Sequence, residues 1–242
     1  MVMRQRASAV VRRMRELGKP QRASHSQRFF KTGPGQYGEG DHFLGLTVPQ
    51  IRAVAREVRD LPLAEVEKLL ESRWHEVRLL AVILLANAYR RGDAATQQRI
   101  YRLYLRRTDR INNWDLVDIS APNIVGAHLL RRSREPLRKL ARSKSLWERR
   151  IAMIATQYLI REREFDDALE IAESLLNDPE DLMHKAVGWM LREVGKRDER
   201  RLLVFLEMHA GRMPRTALRY AIERLPLAQR RFYMTRPRST RR

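Results

Sequence analysis

The sequence predicts an all-α fold, a stacked array of helical hairpins forming an α-solenoid, and three observations carry that prediction. Apolar residues recur at helical spacing almost throughout the 242 residues, without convincing strand alternation. The helical stretches are short and joined by short loops, as in stacked hairpin repeats. A basic residue opens a conspicuously apolar helix at intervals that return to about 35 residues.

In chain order, periodicity places helices near 3–17, 23–31, 48–58, 63–71, 74–90, 94–106, 113–121, 123–132, 134–142, 147–161, 164–176, 181–196, 198–208, 214–224 and 227–234. Ser145 and Glu148 have the spacing of a capping box, Asn113 can cap the helix that follows it, and Pro214 suits a first turn. The repeated basic positions are Arg78 (EVRLLAVILL), Arg150 (ERRIAMIATQYL), Lys185 (HKAVGWML) and Arg219 (LRYAIERL), the last three separated by 35 and 34 residues. Arg78 and Arg150 are 72 apart, two such steps, with Trp114 at the midpoint. That period is the one of a HEAT or TPR hairpin. Equivalent positions in such an array line one concave surface, so these side chains are expected to form a basic strip with aromatic members. Coincidence among so many arginines is the competing reading. Residues 1–234 are expected to form a single repeat domain and 235–242 a disordered basic tail.

The segment Phe29–Leu46 (FFKTGPGQYGEGDHFLGL) interrupts the pattern with five glycines. No strand precedes it and no GK[ST] follows, so it is neither a Walker A nor a dinucleotide loop. The loop 32–42 reads either as a connector or as a loop whose amides, with Lys31 and Tyr37, approach nucleic acid.

Lys and Arg total 49 against 29 Asp and Glu, a formal charge of +20. That excess favours a polyanion, nucleic acid before an anionic membrane surface. Of the 49, 42 are Arg, which fits bidentate phosphate recognition and equally fits the codon bias of a GC-rich genome. Without Cys, disulfides and thiolate chemistry are excluded, and a reducing cytoplasm is expected. The Arg-rich start lacks the apolar run of a secretory signal, and Leu79–Ala86 is too short to span a bilayer. The expectation is a bacterial, cytoplasmic, nucleoid-associated monomer without membrane contact. The six histidines show no ligand spacing, so no metal and no cofactor are expected.

Trp189 is out of phase with its own helix. The apolar stripe of 181–196 is Met183, Ala186, Val187, Met190 and Val194. At about 100° per residue, Trp189 projects roughly 130° from its middle, among Lys185, Arg192 and Lys196. It is either a stacking surface beside phosphate-binding cations or a ring covered by the next helix. In NNWDLVDISAP (112–122), Trp114, Val117, Asp118 and Ala121 share one helix face, which puts a carboxylate among apolar groups. Asp118 either pairs with an Arg of a neighbouring repeat or is functional. Arg150 lies at the edge of its stripe and is either a structural partner for Asp118 or a phosphate clamp.

With these segments in view, the chain resembles the AlkD-type DNA alkylation repair proteins, HEAT-like repeat alkylpurine DNA glycosylases, over roughly Phe29 to Leu225. The resemblance rests on FLGLTVPQIR (43–52), NWDLVD (113–118), WERRIAM (147–153) and HKAVGWMLRE (184–193). Two departures are the Gly-rich insert 31–41 and the short helix near 23–31. The resemblance implies Asp118 as catalytic carboxylate, Trp114 and Trp189 as aromatic walls against the lesion's deoxyribose, and Arg150 as a backbone contact. Lys185, Arg78, Arg192, Arg219 and Lys31 complete the expected DNA-binding set on a concave basic face. The implied activity is monofunctional hydrolysis of the N-glycosidic bond of N3- or N7-alkylated purines, bulky adducts included, in double-stranded DNA. It would proceed without a base-flipping pocket and without a cofactor. The alternatives are a non-catalytic binder of branched or damaged DNA and a scaffold for an acidic protein.

Overall fold

The computed structural model describes residues 6–235, and the regular structure of these residues is helical. Among them the β-type contact is an isolated bridge between His42 and Trp74. Residues 3–5 of the first predicted helix, and the predicted tail beyond Thr235, lie outside the described residues. The chain divides into two compact units between Ile124 and Val125.

The first unit contains α1 (Ala7–Leu17), α2 (Pro20–Phe29), α3 (Val48–Glu57), α4 (Leu63–Leu70), α5 (His75–Arg91), α6 (Ala94–Arg106) and α7 (Trp114–Ala121). Its axis is α5, because α3, α4, α6 and α7 all pack on it and every residue from His75 to Leu85 is buried. A helix apolar on all sides can only be satisfied that way. α1 sets Ala7, Val10 and Met14 toward α4 at helical spacing.

α2 starts at Pro20, three residues earlier than periodicity suggested, because Pro at a first turn gives up no needed hydrogen bond. It buries none of its own residues and is held at its ends. At its start, Lys19 N donates to Leu44 O across 2.8 Å. Gly45 allows the approach: its φ is +79, and a Cβ there would lie 2.3 Å from Lys19 O. The turn carrying Gly45 is fixed by one buried carboxylate, Glu76, which accepts the amides of Leu44, Gly45 and Leu46 at 2.9, 2.7 and 3.2 Å.

At Pro122 the sequence predicted a helix break. The chain instead passes through a π-turn, Pro122–Gly126, into α8 (Ala127–Leu129). Proline has no N–H for the carbonyl four residues back, and a wider turn accommodates that loss without ending the helix.

The second unit continues with α9 (Glu135–Ala141), α10 (Leu146–Arg161), α11 (Asp166–Ser174), α12 (Asp181–Gly195), α13 (Glu199–His209), α14 (Arg215–Ala221) and α15 (Leu227–Thr235). α10, α12 and α14 pack in succession, while α9 and α11 lie on α10 and α13 on α12. This is a helical-hairpin repeat. The starts of α10, α12 and α14, at Leu146, Asp181 and Arg215, keep the anticipated steps of 35 and 34. Two close helix crossings recur 62 residues apart, Gly126 on Ala155 and Gly188 on Ala217. A Cβ would sit 2.2 Å from the Ala155 carbonyl oxygen in the first and 2.4 Å from that of Ala217 in the second. Along the other layer, arginines are consumed by carboxylates of α11: Arg134 by Asp167 (3.1 Å), Arg138 by Glu170 (2.7 Å) and Arg201 by Asp166.

Candidate active site and nucleic-acid interface

The most organised polar site of the first unit lies at the start of α7. Asn113 is the N-cap, its Oδ1 accepting from Trp114 N at 2.8 Å, as the sequence suggested. Its Nδ2 donates to Asp41 Oδ2 at 3.0 Å. Asp115 accepts Leu116 N on Oδ1 at 2.9 Å and faces His75 Nε2 with Oδ2 at 2.8 Å. His75 Nδ1 meets Asp41 Oδ2 at 3.1 Å, and Arg78 binds Asp41 Oδ1 and the Ser72 carbonyl. Two carboxylates, an imidazole, a guanidinium and an amide are thereby joined in one network largely out of water, although Arg78 Nε is buried without a hydrogen-bond partner among the described residues.

Burial by itself would lower the His75 pKa, but the Asp115 and Asp41 carboxylates outweigh it and hold the ring up to about 9. As an imidazolium it donates from both nitrogens. For Asp41, burial would raise the pKa, and bonds from His75, Arg78 and Asn113 bring it below the ordinary value.

Above this network lies an aromatic stack. Phe30 is parallel to the Trp114 indole, with centroids 5.3 Å apart and planes at 18°. Phe30 also stacks on Phe43 at 5.0 Å, and both rings contact His75, at 4.9 and 4.7 Å. Phe29 meets Trp114 edge-on at 6.2 Å and is 59% exposed.

Asp118 stands one turn beyond Trp114 on the same side of α7, half-buried, with Val117 and Ala121 buried beside it. It is close enough to Tyr104 to act on it electrostatically. Burial pushes the Tyr104 phenol up, and the Asp118 charge adds to that rise. The phenol donates to Ser120 Oγ (2.8 Å), whose own proton goes to Leu116 O (2.6 Å).

The remaining expected site residues divide clearly. Lys31 is exposed, directly after Phe30, with φ +51. Arg78 corrects an expectation: at 3% exposure, and committed to Asp41 and Ser72, it is an internal cation of α5 rather than a member of a surface strip. In the second unit, Arg150 is likewise only 5% exposed, and its Nη1 donates to Leu182 O at 2.6 Å, tying α10 to the start of α12. Both guanidiniums are turned inward by their acceptors, Asp41 and the Ser72 carbonyl for Arg78 and the Leu182 carbonyl for Arg150, so neither stands on an exposed basic strip. Lys185 pairs with Asp181 at 2.8 Å while remaining 42% exposed. Arg192 pairs with Glu223 and lies over the Tyr220 ring, 5.9 Å from its centroid. Arg219 is exposed. Trp189 is half-buried, and its predicted stripe of Met183, Ala186, Val187, Met190 and Val194 is buried throughout.

Sequence reasoning missed Asp41, His75, Phe30 and Phe43. Their signal was slight: two phenylalanines before a Gly-rich loop, an acid ending it, and one histidine among six.

A family model for the DNA alkylation repair enzyme matches residues 10–225. This chain belongs to that family. A solved structure described as a predicted DNA alkylation repair enzyme from Enterococcus faecalis is similar in fold, with a TM-score of 0.68 at 18% identity over 87% of this chain and 97% of that one. Curated proteins gave no match. For a DNA alkylation repair enzyme the partner is DNA, and the +20 charge suits it. Among the described residues, no helix is long and apolar enough to cross a membrane, and no group of three or more His, Cys, Asp or Glu side chains is arranged to hold a metal ion.

Proposed function

We propose that this family member is a monofunctional DNA glycosylase that hydrolyses the N-glycosidic bond of N3- and N7-alkylated purines in duplex DNA. The observation that carries the reading is Asp118, a half-buried carboxylate one helical turn from a partly exposed indole that is stacked from behind. Alkylation leaves the purine cationic, so the C1′–N bond breaks with its electron pair going to the base, which departs neutral. Positive charge then develops on the deoxyribose. Asp118 stabilises that charge and orients the water whose oxygen bonds to C1′, with the water's proton passing to the carboxylate or to solvent.

Trp114 is assigned the role of an aromatic face for the sugar cation, since Phe30 covers one side of its indole and a ligand would meet the other. For the second unit, Trp189, half-buried on α12, is the aromatic residue assigned to contact with DNA. Phosphate contacts fall to the exposed cations Lys31 and Arg219, with Lys185 and Arg192 contributing once their carboxylate partners are displaced. Arg78 and Arg150 support the fold around these residues.

The test is direct: the purified protein is incubated with methylated duplex DNA, and the released bases are separated. Free 3-methyladenine and 7-methylguanine support the reading. Tight binding to damaged or branched duplex with no base released would instead make the protein a non-catalytic binder.

A further inference from the structure

We propose that Asp41, delivered by the Gly-rich loop, and His75 are positioning residues for excision: together they fix the first turn of α7 and the plane of Trp114. The proposal rests on the glycosylase reading above and assigns the loop a task other than touching DNA.

The loop folds largely on itself. Gly38 N donates to Lys31 O (3.2 Å), Gly33 N to the Gln36 side chain (3.1 Å) and Gly35 N to the Glu39 side chain (2.9 Å). Its end drives Asp41 inward to 5% exposure, where α5 and the cap of α7 supply three donors to one carboxylate.

Two chains of hydrogen bonds run from Asp41 to the backbone on either side of Trp114. One passes through Asn113 to Trp114 N; the other passes through His75 and Asp115 to Leu116 N. A third link acts on the ring, since His75 packs against Phe30, and Phe30 stacks on the indole. Backbone and side chain of Trp114 are thus referenced to the same buried pair. Apolar residues of similar volume commonly stabilise a core as well as buried ions do. What the charged network adds is a restricted geometry, because Asp41, His75, Asn113 and Asp115 each hold a directional bond on the path to Trp114. Asp41 and His75 do not touch substrate in this scheme; they act through Trp114 and Asp118.

The test uses the full chain and three variants: Asp41→Asn, His75→Gln and Asn113→Ser. The last retains a capping hydroxyl and removes only the donor to Asp41, so it keeps the question open to measurement should the first two fail to fold. Three quantities are read for each folded variant. They are Kd for methylated duplex, the single-turnover rate of base release, and the indole 15N–1H resonance of Trp114, assigned by its loss in Trp114→Phe.

The expected result is an unchanged Kd, a release rate lower by about tenfold to a hundredfold, and a Trp114 resonance displaced while that of Trp147 stays in place. Release at the wild-type rate, or a Trp114 resonance that does not move, overturns the proposal. If the wild-type protein releases no base, the glycosylase reading fails by itself. The claim that Asp41 and His75 set Trp114 then stands or falls on the resonance alone.

Discussion

His75 Nε2 donates to Asp115 Oδ2 across 2.8 Å, and through that bond the start of α5 holds the first turn of α7. The two residues are 40 apart in sequence and both lie largely out of water. The bond couples the stability of the first unit to pH. His75 is raised from 6.5 to about 9 by folding, so the folded state holds its proton more tightly. That stabilisation is complete below about 6.5 and is lost as the pH rises through about 9, and it corresponds to about 3 kcal/mol. Thermal unfolding of the wild type between pH 6 and 10 is expected to show a falling midpoint. In His75→Gln that alkaline slope should be absent.

His128 acts in the opposite sense. Burial, with help from Arg132, pushes its pKa down to about 4, so the unfolded chain takes up a proton that the folded one refuses. Stability should therefore fall as the pH drops from 6.5 toward 4. Replacing His128 with Gln should flatten this acid limb in the same unfolding series and leave the alkaline limb in place.

Glu76→Gln addresses the turn beneath α2. The carboxylate accepts three backbone amides, and an amide side chain brings only one oxygen and presents N–H to N–H. A loss of about 2–3 kcal/mol is expected in denaturant unfolding, with no change in the helix content of the folded state.

Gly188→Ala tests the repeat packing of the second unit. The added methyl would meet Ala217 O at 2.4 Å and Tyr220 Cβ at 2.5 Å, both rigidly placed. Separation of α12 from α14 should cost about 1–3 kcal/mol, read by chemical denaturation. Ala at Gly126, the matching crossing, should behave alike.

The fold was legible in the sequence because helical periodicity is a local property. The stripe Met183, Ala186, Val187, Met190 and Val194 was read correctly, as were the caps at Asn113 and Ser145. The helix starts at Leu146, Asp181 and Arg215 kept their spacing. What periodicity could not reveal was where a charged side chain spends its charge. Arg78 and Arg219 both follow the same phase rule, yet one is bound to Asp41 inside the core and the other is open to solvent. The difference lies in a partner 37 residues away, at the end of a loop whose glycines carry no periodic signal. The boundary placed between 113–121 and 123–132 fell short in a similar way, since periodicity does not register the π-turn at Pro122–Gly126 that carries the chain on.

The salt dependence of DNA binding offers a check on the exposed cations. Arg219→Ala is expected to weaken binding to any duplex and to lower the log–log salt slope by about one, whereas Arg78→Lys should leave the slope unchanged while destabilising the fold.

The role of Asp118 is tested most directly by comparing wild type and Asp118→Asn for release of 7-methylguanine from methylated duplex under single-turnover conditions, with Kd measured in parallel. The account predicts that release from the variant falls to background while its affinity for the duplex persists. Release from Asp118→Asn at the wild-type rate would contradict it.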